Sequence, residues 1–146
     1  MISMNRISLT MMLGTLSCLS FLSTAFADTS ITQTSTTDIS GTYVCNFHDP
    51  FSTPPDGTEY LTIKKGSNNS YRMSKKGMND TTPSLVGIGL QNKEQNNAFS
   101  FLFWWSKDPT TIFAQYIIIK PDGTLEGKWA QSNKNQAATI SCKKSS

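Results

Sequence analysis

Lys120-Pro121-Asp122-Gly123-Thr124-Leu125-Glu126-Gly127-Lys128-Trp129-Ala130 is the stretch whose reading decides the fold. Its first four residues write a turn: proline sets φ near −65° and glycine supplies a positive φ, so a type I turn closing in a bulge is expected. Leu125, Gly127 and Trp129 then alternate with Thr124, Glu126 and Lys128, which is a strand with one face toward a core and the other toward water. Working outward, the same grammar of short apolar runs separated by Gly, Pro, Asn and Asp clusters repeats along the chain, and no helical periodicity competes with it.

Eight strands are predicted, over residues 42–47, 60–65, 70–75, 84–91, 98–106, 111–120, 124–130 and 137–143. Most are within reach of short hairpins, which gives an up-and-down meander. The exception is the connection over residues 49–58, which holds three prolines and is a candidate lid. Gly87 and Gly89 flank Ile88 in the fourth strand and mark a sharp bend or a close approach by another part of the chain.

Cys45 and Cys142 lie in the first and last of these strands. Cys45 shares parity with Tyr43 and Phe47, and Cys142 with Ala138 and Ile140, so both are expected on the inward face. A Cys45–Cys142 disulfide would set the two end strands side by side, and a sheet whose ends meet is a closed barrel. The expected fold is therefore all-β, a single antiparallel up-and-down barrel of about eight short strands.

The N-terminus reads as a secretory signal peptide over residues 1–27. Arg6 supplies the positive charge, residues 7–22 are apolar with small residues, and Ala25-Phe26-Ala27 forms the cleavage site. Removal of the signal takes away Cys18 and leaves residues 28–146, enough for one domain and too few for two. Two cysteines in an oxidising compartment default to a disulfide. Residues 28–40, rich in Ser and Thr, are expected to be a flexible segment ahead of a barrel over residues 41–144. The protein is thus expected to be exported, periplasmic or secreted, with no membrane span once the signal is removed, since most strands are too short for an outer-membrane barrel.

The net charge of +3 falls by one with Arg6. Lysines such as Lys64, Lys65, Lys75, Lys76, Lys93, Lys143 and Lys144 form no long basic run and read as solvated surface, so no nucleic-acid partner is expected. His48 is the single histidine and its neighbours offer no ligand spacing, so no metal site and no cofactor are expected. Carboxylates, Glu59 among them, fall mostly in turns or on the outward parity, and no nucleophile, phosphate or dinucleotide motif is present. The chain is not expected to be an enzyme.

Two functions compete. The barrel could hold a small apolar or aromatic ligand lined by Tyr43, Tyr71, Phe101, Phe103, Tyr116 and Trp129, although core packing explains those residues equally well. Alternatively, the fifth and sixth strands carry apolar residues on both faces, and Trp104, Phe113 and Ile117 are candidates for an outward interaction surface, used by a protein partner or in a homodimer. An inhibitor, an adhesin and an effector are the kinds of protein that use such a surface.

Gly41-x-Tyr43 at the head of the first strand, followed by the meander, resembles the opening of the calycin-type barrels, lipocalin-like and avidin-like. The chain also resembles a group of small exported bacterial β-barrel proteins of uncharacterised activity. They share Tyr43-Val44-Cys45, Gly57-Thr58-Glu59-Tyr60, Gly87-Ile88-Gly89 and the closing Asp122-Gly123-Thr124-Leu125-Glu126-Gly127-Lys128-Trp129. That resemblance implies a fold and export; it implies no activity and no ligand-contacting residues.

Overall fold

In a computed structural model that describes residues 37–145, eight antiparallel strands close into one barrel. They are β1 (Gly41–His48), β2 (Asp56–Lys65), β3 (Ser70–Gly77), β4 (Leu85–Gln91), β5 (Ala98–Trp105), β6 (Asp108–Ile119), β7 (Leu125–Gln131) and β8 (Ala138–Lys144). Each strand pairs with its sequence neighbours, and β1 pairs with β8 to close the ring. The closed all-β barrel expected from the sequence is what forms, and it is compatible with a calycin-like architecture. The expected signal peptide and most of the 28–40 segment lie outside the described residues.

Closure is covalent as well as hydrogen-bonded. Cys45 and Cys142 are direct partners across β1 and β8 and are joined by a disulfide with a sequence separation of 97. Such a bond belongs to an oxidising environment. By loop-closure entropy a ring of about 100 residues is worth roughly 4–5 kcal/mol against the unfolded chain.

The turns obey their local chemistry. Gly123 has φ 81°, its N–H donates to the Lys120 carbonyl at 2.9 Å, and the Lys120 N–H donates to Thr124 at 2.8 Å, as the turn-and-bulge reading requires. Between β2 and β3, Asn68 and Asn69 both adopt positive φ, which Asn tolerates better than most residues. Between β5 and β6 the turn comes earlier than Lys107-Asp108-Pro109. Trp105 pairs with Asp108 while Trp104 pairs with Ile112, and Pro109 sits within that irregularity, where its missing N–H breaks no ladder bond.

One end of the barrel is filled. Leu61, Ile63, Tyr71, Met73, Phe99, Phe101, Ile117 and Leu125 are buried among one another. Gly89 makes this possible, because a Cβ there would collide with the Phe101 ring, and Gly87 likewise gives way to Phe103 and the Leu102 backbone. Ile39, only 1% exposed, belongs to this core, and the Tyr43 hydroxyl donates to its carbonyl at 2.8 Å. The end of the segment expected to be flexible is therefore fixed, because an apolar side chain and a phenol hydrogen bond hold it to the barrel.

Candidate functional site

The other end is open. A cavity of about 580 Å³ lies at this mouth, rimmed by residues of the 49–55, 78–84 and 132–137 connections. Its walls are aromatic. Phe103 and Phe113, cross-strand partners on β5 and β6, stack with ring centroids 4.8 Å apart. Trp129 of β7 meets both edge-on, at 6.2 Å from Phe103 and 5.7 Å from Phe113, and Trp105 meets Phe113 at 5.9 Å. Each such pair adds about 0.5–1.5 kcal/mol beyond area burial, so the cluster is a rigid wall.

Inside this wall stands an ion pair. Lys75 of β3 is 2% exposed, its Nζ lies 2.9 Å from Glu59 Oε1 of β2, and both residues line the cavity. The ammonium also sits 4.8 Å from the Phe103 ring centroid and 5.9 Å from that of Trp129, within cation–π range. Burial pushes the Lys75 ammonium below the usual lysine value of 10.5, against the opposing pull of Glu59.

The placement of Lys75 and Glu59 corrects the sequence reading, which assigned Lys75 to the solvated surface and Glu59 to turns or outward positions. Lys75 shares parity with Tyr71 and Met73, and Glu59 with Leu61 and Ile63, all inward. Strand parity was the signal that could have found them. The residue types misled, because lysine and glutamate are almost never buried unless paired.

The 49–55 connection is part of the wall. Asp49 organises it, accepting from Ser52 Oγ at 2.6 Å and from the Phe51 N–H at 3.0 Å, and the Asp49 N–H donates to the Pro55 carbonyl at 2.7 Å. Phe51 and Ser52 line the cavity, and Lys134 Nζ lies 5.0 Å over the Phe51 ring, linking two rim segments. His48, by contrast, pairs with Asp56 at 2.8 Å on the barrel surface. Asp80 and Ser84 hold the 78–84 connection to β3: Asp80 accepts from the Gly77 N–H at 3.0 Å, and the Ser84 N–H donates to the Lys75 carbonyl at 3.0 Å.

Of the residues expected to line a ligand site, Phe103 and Trp129 reach the mouth. Tyr43, Tyr71 and Phe101 point inward but lie in the filled end. Tyr116 is on the outer surface, where its hydroxyl donates to Gln95 at 2.9 Å. Of the expected outward surface, Trp104 is half-buried, whereas Phe113 and Ile117 are buried in the core. The inversion of β6 has a clear cause. Its inward phase is Phe113, Gln115, Ile117, fixed by the pairing of Phe113 with Phe103, and this phase includes a glutamine while the outward phase includes Tyr116.

Gln115 was therefore missed too. It is buried with neither amide atom hydrogen-bonded, and the Tyr71 hydroxyl and Trp129 Nε1 are likewise buried without a protein partner among the described residues.

An apolar outer patch does exist, with Leu102 of β5 in it as the two apolar faces of that strand suggested, but without Phe113 and Ile117. Ile88, Leu90 and Leu102 are 56%, 60% and 50% exposed, and with Ile112 and Tyr116 they cover β4, β5 and β6. A shallow groove of about 740 Å³ crosses this face, bordered by Arg72 on the β3 side and Lys128 on the β7 side.

Comparison with known proteins yields no matching family model and no matching curated protein.

Proposed function

We propose that this barrel is a small-ligand binding module whose site is the open mouth, and that its ligand has a flat apolar or aromatic body carrying a polar group. The observation that carries this reading is the Lys75–Glu59 pair standing among Phe103, Phe113 and Trp129 on the wall of a cavity. Mostly apolar walls with a few convergent polar groups are the usual make-up of a small-molecule site. The aromatic rings take up the body of the ligand, Lys75 supplies a donor, and Glu59 supplies an acceptor. The filled end of the barrel stops the ligand at the mouth.

A second reading rests on Ile88, Leu90 and Leu102, which form an exposed apolar face suited to a protein partner. Native mass spectrometry of the protein isolated gently from cells separates the two. Extra mass of roughly a few hundred daltons, lost on denaturation and reduced in a Leu85→Trp variant that fills the mouth, supports the ligand site. A bare chain overturns it, and an increment of protein size lost in a Leu90→Asp variant supports the outer face.

A further inference from the structure

We infer that the mouth is a reversible covalent capture site for apolar and aromatic aldehydes, with Lys75 as the amine and Glu59 as its proton relay. The inference deepens the proposed ligand site and rests on it. Both partners of this pair border a cavity large enough for an aromatic molecule. The walls beside the ammonium are the rings of Phe103 and Trp129, which favour an apolar or aromatic body and exclude water from the amine. A lysine desolvated in an apolar pocket is the form in which the amine becomes a nucleophile toward carbonyls.

The chemistry closes within the pair. Glu59 Oε1, 2.9 Å from Lys75 Nζ, takes a proton from the ammonium. The amine lone pair then forms the N–C bond while the carbonyl π pair moves to oxygen, which receives the proton from Glu59. The nitrogen of this carbinolamine returns a second proton to Glu59, which passes it to the hydroxyl as the C–O bond breaks. Water leaves, and a protonated imine remains beside the Glu59 carboxylate. No oxidant, reductant or metal is required, and water reverses every step.

Burial holds the Lys75 ammonium below the usual lysine value, against the opposing pull of Glu59. The other charged groups bordering the same cavity are Asp49, Asp80 and Lys134 in the rim connections. Asp80 is engaged by the Gly77 N–H and Asp49 by Phe51 and Ser52, which leaves Glu59 as the carboxylate in contact with the amine.

The test uses the oxidised full chain with 2-naphthaldehyde and cyanoborohydride at neutral pH, followed by peptide mapping. The expected result is reductive labelling at Lys75 about ten-fold faster than at any surface lysine, persisting to lower pH than theirs, and slowed at least ten-fold or so by Glu59→Gln. Labelling spread over Lys64, Lys65, Lys76 and Lys128 with Lys75 unmodified overturns the inference, and that map needs only the wild-type chain. An unchanged rate in Glu59→Gln removes the relay. The unreactive 2-naphthylmethanol, followed by chemical shifts at the mouth, separates the two levels. Binding of the alcohol without Lys75 labelling by the aldehyde sinks the covalent step and leaves the ligand site standing, whereas neither event sinks both.

Discussion

Glu59 and Lys75 meet at 2.9 Å although they are not cross-strand partners: Glu59 pairs with Gly77, and Lys75 pairs with Leu61. The contact is diagonal, between inward-facing residues of adjacent strands, and the space at Gly77, the residue opposite Glu59, is taken by the Asp80 carboxylate, 2.8 Å from where a Cβ would stand. The two charges are not equally placed, since Lys75 is 2% exposed and Glu59 13%. Removing the carboxylate strands a buried ammonium, and Glu59→Leu should destabilise by about 3–5 kcal/mol in urea titration. Lys75→Met leaves a carboxylate that reaches water and should cost less. The double variant Glu59→Leu/Lys75→Met should recover most of the loss, because replacing a buried pair by apolar groups is close to neutral. Additive losses in the double variant would show that the two residues do not act as a pair.

The disulfide makes a separate prediction. Since Cys45 and Cys142 are register partners, the β1–β8 ladder survives without the bond, and what is lost is the restriction on the unfolded chain. Cys45→Ser should fold to the same barrel and melt where the reduced wild type melts, both well below the oxidised protein. Equal melting temperatures for the oxidised wild type and the variant would refute this.

Where the sequence could be read, it was read through turn chemistry and parity. The 120–123 turn and the alternation of Leu125, Gly127 and Trp129 located β7, and the shared parity of Cys45 and Cys142 located the seam. Strand order followed from short connections. The site was harder to see because its residues contradict their types. Lysine, glutamate and glutamine occupy inward positions at Lys75, Glu59 and Gln115, while Ile88, Leu90, Leu102 and Tyr116 face out. Reading hydrophobicity ahead of parity reversed β6, and so misplaced Tyr116, Phe113 and Ile117. Pairing across the β5–β6 hairpin decides the phase, and no single strand contains that information.

Gly89 carries the packing of the filled end. An added Cβ would stand 2.3 Å from the Phe101 ring, on a strand with neighbours on both sides. The backbone cannot retreat, and the ring is hemmed in by the core, so overpacking of this kind should cost about 1–3 kcal/mol or more. Gly89→Ala should lower the urea midpoint sharply, and a second change, Phe101→Leu, should partly restore it. Gly123→Ala is the control with a different mechanism: it meets nothing within 4 Å, and its cost comes from φ 81° alone.

The seal at the filled end responds to acid. Asp38 accepts from Ser40 Oγ at 2.7 Å and from the Ser40 N–H at 2.9 Å, and Ser40 Oγ in turn accepts from the Lys65 N–H at 3.1 Å, so the carboxylate orders the residues flanking Ile39. These hydrogen bonds, with a smaller contribution from Lys65, hold the Asp38 carboxyl below its usual value of 3.8. A carboxyl depressed in the folded state binds its proton more weakly there than in the unfolded chain. Its stabilising effect is therefore complete above about pH 4–5 and is lost as the pH falls through the lower, folded value. Chemical denaturation at pH 6 and at pH 3 should show wild type losing more stability on acidification than Asp38→Asn, with the two converging at the lower pH. Ile39→Ala should cost about 2–5 kcal/mol at both pH values, because it deletes buried apolar volume rather than a titrating group. A parallel pH dependence in wild type and Asp38→Asn would show that the carboxylate plays no part in holding Ile39 in the core.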